Sequence, residues 1–352
     1  MLRLAALFFL AIVPAAGANL ELPDGVAYQE VKLTANAVNL TGFVLRPEKP
    51  GKLPAVFCAH GVGESSADVL SVCTNLASLG YVTMSVDLRG CGGSSGKPEF
   101  AAGEVKDALA AIAWLRGQAY VDGKRIGLFG AGTGGMVALL AAAADPQVKA
   151  VVAFMTPADA GRYTTTLGRK GSPVAAAIEQ AVGGSPTAKP AAYRQRSPLE
   201  YAARITAPVL LAYGGKDDLV PPEHGTKLCE AMVRAGRSCT VRIYPGEGNS
   251  FIDPGNALDS VLTLIRFFNQ HLDNTPAPAT RESCALKRLS LALVLQRRQS
   301  TGVNPSDDAM VACDIALAAL AAKRWAEADR LLTEAIAAVS KSAPLPAGRA
   351  AR

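Results

Sequence analysis

At 352 residues, 49% hydrophobic and 19% charged, the chain is too apolar to be disordered. It is long enough for one large domain and a small appendage. Its formal charge of +6 is modest, and no basic cluster is interleaved with aromatics, which argues against a nucleic-acid partner.

Residues 1–18 read as a secretory signal. Arg3 supplies the positive start, Leu4 to Val13 the apolar core, and Ala16-Gly17-Ala18 an A-x-A cleavage site. The apolar run is shorter than the ~20 residues a bilayer span needs. No cysteine follows it closely, so no stable membrane anchor is expected. The mature chain should begin near Asn19, secreted or periplasmic. All 7 cysteines lie beyond that point. An oxidising compartment permits disulfides, and an odd count leaves at least one thiol without a partner in the chain. Position suggests Cys229 with Cys239 and Cys284 with Cys313, although sequence does not fix connectivity.

Val26 to Leu33 alternates and Val38 to Leu45 returns, which predicts a β-hairpin. Ala55 to Ala59 is a continuous apolar strand ending at His60-Gly61-Val62-Gly63. A helix from Ser66 to Leu79 and a strand from Tyr81 to Val86 follow, the latter ending at Asp87-Leu88-Arg89-Gly90. Helical spacing over Glu104 to Leu115 leads to a strand at Arg125 to Phe129. Further strands are expected at Val148 to Phe154, Pro208 to Tyr213 and Cys239 to Tyr244. Alternating strands and helices argue for a mostly parallel sheet with helices on both faces. Between Pro157 and Thr206 a polar stretch without strong periodicity marks a small lid. A helix spans Leu262 to Leu272. A domain over 19–273 is thus expected, then a Pro-containing linker at 274–281. A helical region at 282–341 holds helices near 282–298, 307–321 and 324–340, and the tail 342–352 should be disordered. The last two helices resemble one tetratricopeptide-type hairpin. A plain bundle fits the same pattern.

The stretch with most chemical content is Gly130-Ala131-Gly132-Thr133-Gly134-Gly135, between the strand at Phe129 and an alanine-rich helix. A strand-to-helix turn this tight needs small residues. Together with His60-Gly61, Asp87-Leu88-Arg89-Gly90, Tyr120 to Gly127, Ser197-Pro198-Leu199-Glu200-Tyr201 and Gly214 to Pro221, it makes residues 26–271 resemble an α/β-hydrolase. The dienelactone hydrolase and prolyl-oligopeptidase-like branches are the most similar. The resemblance implies an α/β-hydrolase fold and a triad in the order nucleophile, acid, base.

By that resemblance Asp217 holds the acid position, but Gly132 stands where the nucleophilic serine should be. Asn249, within Gly246-Glu247-Gly248-Asn249-Ser250-Phe251, stands where the histidine should be. An amide has no basic nitrogen near neutral pH. The backbone N–H groups of Val62 and Thr133 hold the oxyanion positions and need no particular side chain. The Thr133 hydroxyl is one residue out of place to serve as nucleophile. His60, His224 and His271 read as structural, and Cys91 as inert or disulfide-bonded. Glu247, Asp217 and Asp218 lack metal-ligand spacing, and no cofactor is expected. The first reading is a secreted pseudohydrolase with a small-molecule or peptide ligand in the vestigial pocket. The alternative is an active but divergent esterase or peptidase. A third makes the C-terminal helices a contact for a protein partner.

Overall fold

A computed structural model describes residues 22–274, 280–300 and 307–341. The signal segment 1–18, residues 275–279 of the linker and the tail 342–352 lie outside the described residues. Of the described residues, those up to Ile252 together with Leu264–Asn274 form one compact unit. Asp253–Thr263 and those from 280 onward form the other.

In the larger unit, β1 (Val26–Ala35) and β2 (Val38–Pro47) pair antiparallel, from Val26 opposite Pro47 to Ala35 opposite Val38. Asn36 and Ala37 make the turn with φ of 49° and 65°. Both are left-handed, matching the twist of the strands they join. Then come β3 (Leu53–Ala59), β4 (Val82–Val86), β5 (Val121–Ala131), β6 (Ala150–Phe154), β7 (Val209–Gly214) and β8 (Cys239–Tyr244). The sheet order is β1-β2-β4-β3-β5-β6-β7-β8. β2 pairs antiparallel with β4, and every pairing beyond that is parallel. β3, β4, β6 and β7 are buried along their whole length, as continuous apolar runs are in a sheet covered on both faces.

A 3₁₀ turn at Ser66–Val69 leads into α1 (Leu70–Ser78); α2 (Gly103–Arg116) and α3 (Thr133–Ala144) follow. The lid stretch is more regular than its composition suggests. It contains α4 (Ala160–Arg169), α5 (Pro173–Val182), α6 (Pro190–Arg194) and a 3₁₀ segment at Pro198–Arg204. The signal for these short helices lay in their ends rather than in a long period. Asp159 accepts from the Arg162 N–H, Ser172 precedes Pro173, and Gly183 closes α5 at φ 86°.

After α7 (Glu223–Arg234), α8 (Pro254–His271) starts well before the expected Leu262. The Asp253 carboxylate accepts the Asn256 N–H at 2.9 Å, a cap placed before a proline. Phe268 of α8 lies against β5 because residue 127 is glycine, where a Cβ would meet its ring at 2.7 Å. Cys229 of α7 and Cys239 of β8 form a disulfide, with Cα atoms 5.3 Å apart.

The smaller unit contains α9 (Arg281–Ser300), α10 (Asp307–Ala321) and α11 (Trp325–Lys341). Its core includes Leu291, Ala309, Ala316, Ala319, Ala328, Leu332 and Val339. Ser283 donates to Asp329 at 2.6 Å, and Lys287 pairs with the same carboxylate at 2.8 Å. The expected Cys284–Cys313 bond is corrected here: both are buried free thiols. α9 and α10 each pack on α11, and the Cys284 thiol is directed at the Trp325 carbonyl on that helix, 3.4 Å away.

Candidate functional site

β5 ends at Ala131, and α3 begins two residues later at Thr133. Gly132 makes the turn between them at φ 52°, ψ −126°. This is a conformation that strains any residue with a Cβ. A Cβ on Gly132 would meet nothing within 4 Å. The neighbouring glycines differ: a Cβ on Gly134 would run into the carbonyls of Ala59 and His60, and one on Gly135 into Thr156. The turn therefore keeps α3 pressed against β3 and leaves open space above position 132.

The loop after β3 is held from several sides. His60 is buried; its Nε2 accepts the Leu88 N–H at 2.9 Å, and its Nδ1 lies 2.9 Å from the Gly61 carbonyl. Glu64 accepts the Gly61 N–H at 2.6 Å. Asp87 receives the backbone N–H groups of Ser66 at 2.7 Å and Gly93 at 2.8 Å. Burial pushes its carboxyl up, but these bonds outweigh that and hold it below the usual aspartate range. Arg89 forks onto Asp107 at 2.9 and 2.8 Å and also pairs with Glu99. The Asp87-Leu88-Arg89-Gly90 segment is thus an anchor for loops.

The Val62 N–H, expected as an oxyanion donor, is already engaged. It donates to the Thr133 hydroxyl at 2.6 Å. Thr133 opens α3 and is buried, so its side chain is fixed where it satisfies that donor. The hydroxyl thus takes up the N–H that the family resemblance assigns to an oxyanion hole.

At the other end, Asp217 is buried in the loop after β7. One carboxylate oxygen accepts the N–H groups of Leu219 at 2.9 Å and Val220 at 2.8 Å. The other accepts Asn249 Nδ2 at 2.7 Å. The amide thus makes a bond to the acid position of the kind a triad histidine makes through its ring N–H, without offering a base on its far side. Phe251 steadies this loop, its ring centroid 5.8 Å from Phe154 and 4.7 Å from Tyr244. The neighbouring Asp218 is exposed and pairs instead with Lys170 at 2.5 Å, which holds its carboxyl below the usual range.

The family model for the prolyl oligopeptidase family matches residues 68–275. The chain belongs to the prolyl oligopeptidase family. It is 28% identical over 261 residues to a candidate carboxymethylenebutenolidase of Methylorubrum extorquens, covering 69% of this chain and 79% of that protein. It is also 28% identical over 171 residues to the inactive dipeptidyl peptidase 10 of Mus musculus, covering 48% of this chain but 20% of that one. Among solved structures, the acylaminoacyl peptidase of Pyrococcus horikoshii matches with a TM-score of 0.62 at 19% identity. That match covers 72% of this chain and 43% of that one, and establishes the fold.

Two further polar residues of this prolyl oligopeptidase family member lie in well-defined surroundings. The His224 ring is buried and its Nδ1 accepts the N–H groups of Ala158 at 3.2 Å and Asp159 at 3.3 Å, which ties the lid's entry to α7. Burial, and next the charge of Arg162, push it down to about 4. Burial also pushes the Cys91 thiol up; the Gly63 N–H counters this, while Glu104 and Asp87 add to it. A thiol held protonated in this way is a poor nucleophile.

Sequence reading missed Tyr163 and Glu64. Burial, then the charges of Asp217 and Glu64, raise the Tyr163 phenol. This places a lid side chain in the field of both site loops. Nothing in the weakly periodic lid sequence marks it, whereas Glu64 could have been found as a short-range acceptor three residues after Gly61.

Proposed function

We propose that the protein is an exported, catalytically silent member of the prolyl oligopeptidase family that binds a small-molecule or peptide ligand instead of cleaving one. The observation that carries this reading is the pair Gly132 and Asn249: a serine-hydrolase turn without a nucleophile, and an acid position bonded to an amide. In subtilisin, removing either nucleophile or base costs on the order of 10⁶ in kcat. The Thr133 hydroxyl on the Val62 N–H adds a third, separate loss. A relative named as inactive supports the reading. Export rests on Arg3, the apolar run and Ala16-Gly17-Ala18.

The test is to recover the protein from outside the cytoplasm, where it should start near Asn19, and to treat it with a fluorophosphonate probe and short-chain p-nitrophenyl esters. No adduct and no turnover above solvent are expected. A stoichiometric adduct on any serine or threonine would overturn catalytic silence and favour the divergent esterase or peptidase.

A further inference from the structure

A buried ring holds the entry of the lid to the body of the larger unit. The chain leaves β6 through Met155, whose φ of 43° is left-handed and strained for a residue with a side chain. The Met155 N–H donates to the Ala212 carbonyl at 2.8 Å, and the Tyr213 phenol donates to the Thr156 carbonyl at 2.6 Å. The sheet thus holds the chain as far as Thr156. Next comes His224 of α7, whose Nδ1 accepts the Ala158 and Asp159 N–H groups at 3.2 and 3.3 Å. Two other bonds at this point run between lid residues and travel with the lid: Leu199 N–H to the Ala158 carbonyl at 3.0 Å, and Ala160 N–H to Ser197 Oγ at 2.9 Å.

The His224 ring is 2% exposed, and its Nε2 is enclosed without a hydrogen-bond partner among the described residues. Because Nδ1 is the acceptor, the neutral ring carries its proton on Nε2. A second proton has one place to go, Nδ1, where two N–H groups already point at the lone pair. Protonation and the two lid bonds therefore exclude each other. The charged groups facing the ring are Arg162 of α4, Asp159 at the lid's entry, and Glu223 and Lys227 of α7. Burial, then Arg162, oppose the second proton and outweigh Asp159 and Glu223; Lys227 adds to the opposition. The Tyr213 ring lies against α7 at Gly225, and burial, then Asp217, push its phenol up, so it stays protonated.

We propose that His224 is an acid-released latch on the lid: a proton from solvent entering at Nδ1 displaces the Ala158 and Asp159 amides and frees the start of α4 from α7. The Lys170–Asp218 pair keeps the far end of α4 in place, so the motion is local. α4 carries Tyr163, whose ring stacks on Phe100 with centroids 6.5 Å apart and whose phenol lies in the field of Asp217 and Glu64. Release shifts this side chain away from both site loops and widens the approach to the space above Gly132. The latch governs access alone, and so holds whether or not the site cleaves what enters.

The test is hydrogen–deuterium exchange of the full chain, read by mass spectrometry and corrected for the intrinsic rate at each pH. A ring that titrates at about 4 when latched and about 6.5 when free makes the open lid roughly a hundredfold more populated at about pH 4 than at about pH 7. Protection of the peptide 157–170 should fall by that factor, while the β5 peptide 121–131 keeps its own. His224→Asn places an amide oxygen near the Nδ1 position, where it accepts the same N–H groups and takes no proton. Lid protection in that variant should not change with pH; His224→Gln, which takes no proton either, replaces it if it does not fold. Wild-type lid protection independent of pH overturns the proposal. A fall of equal size in the variant overturns it too, as does β5 losing protection in step with the lid, since acid would then be unfolding the whole domain.

Discussion

On the function proposed above, the turn at Gly132 and the contact between Asp217 and Asn249 stand where a serine hydrolase keeps its nucleophile and its acid–base pair, and they differ in what stands there instead. At Gly132 nothing took the side chain's place: the backbone stays at φ 52° and the space above is empty. At Asn249 the replacement keeps a bond, 2.7 Å to the buried carboxylate. The physical difference is that an absent hydroxyl leaves no group unsatisfied, whereas without Asn249 one Asp217 oxygen would lose its donor while the other keeps the Leu219 and Val220 N–H groups. A glycine also relieves the strain that a serine would carry on the same turn. Stability alone therefore favours loss at one end and retention of a hydrogen bond at the other.

The largest expected effect comes from refilling both regions. Gly132→Ser with Asn249→His restores nucleophile and base beside Asp217, and fluorophosphonate labelling should appear in the double variant but in neither single one, because the two act as a unit. Labelling and ester turnover should stay slow, since Thr133 still holds the Val62 N–H. Adding Thr133→Val removes that acceptor and should speed turnover by roughly 10²–10³, the usual worth of an oxyanion donor. Equal rates with and without Thr133→Val would show that this hydroxyl is no block.

Within the turn, Gly134→Ala should lower stability by more than about 3 kcal/mol in urea unfolding, because its Cβ meets the backbone of Ala59 and His60. Gly132→Ala meets no atom and should cost about 1–3 kcal/mol from backbone strain alone. Reversal of that order would mean the open space at 132 is filled in solution.

A buried histidine away from both regions gives a scale for an imidazole that cannot take a proton. His224 titrates near 4 in the folded protein, against about 6.5 unfolded. Below pH 6.5 the unfolded chain gains a proton that the folded one refuses, so stability is full above that pH. It falls as pH drops toward 4, by up to about 3 kcal/mol. Unfolding midpoints measured across this window should flatten in His224→Gln; an unchanged acid limb would assign it to other groups.

The smallest effect is expected at Asn249→Ala. The residue is exposed at its outer side, so water can replace the lost donor to Asp217, and the cost should be about 1 kcal/mol by urea unfolding. A loss comparable to that of Gly134→Ala would show that the amide holds the whole loop after β8.

The sheet was legible in the sequence because its strands are continuous apolar runs, and burial on both faces leaves such runs no alternative. Ala55 to Ala59 and Pro208 to Tyr213 lie within two residues of the ends of β3 and β7. The lid helices and the first turns of α8 were not legible, since their signals are local caps at Asp159, Ser172 and Asp253. Of the site, the residue types at 132, 217 and 249 were readable from motif spacing. Three matters belonged to the tertiary structure alone. Thr133 reaches a donor 71 positions away at Val62, Asn249 reaches Asp217 across 32 positions, and Cys284 is directed at Trp325 instead of Cys313. Sequence determines which atoms a residue brings; which distant partner each atom meets depends on how the chain closes on itself, and hydrogen bonds of this kind are decided within fractions of an ångström.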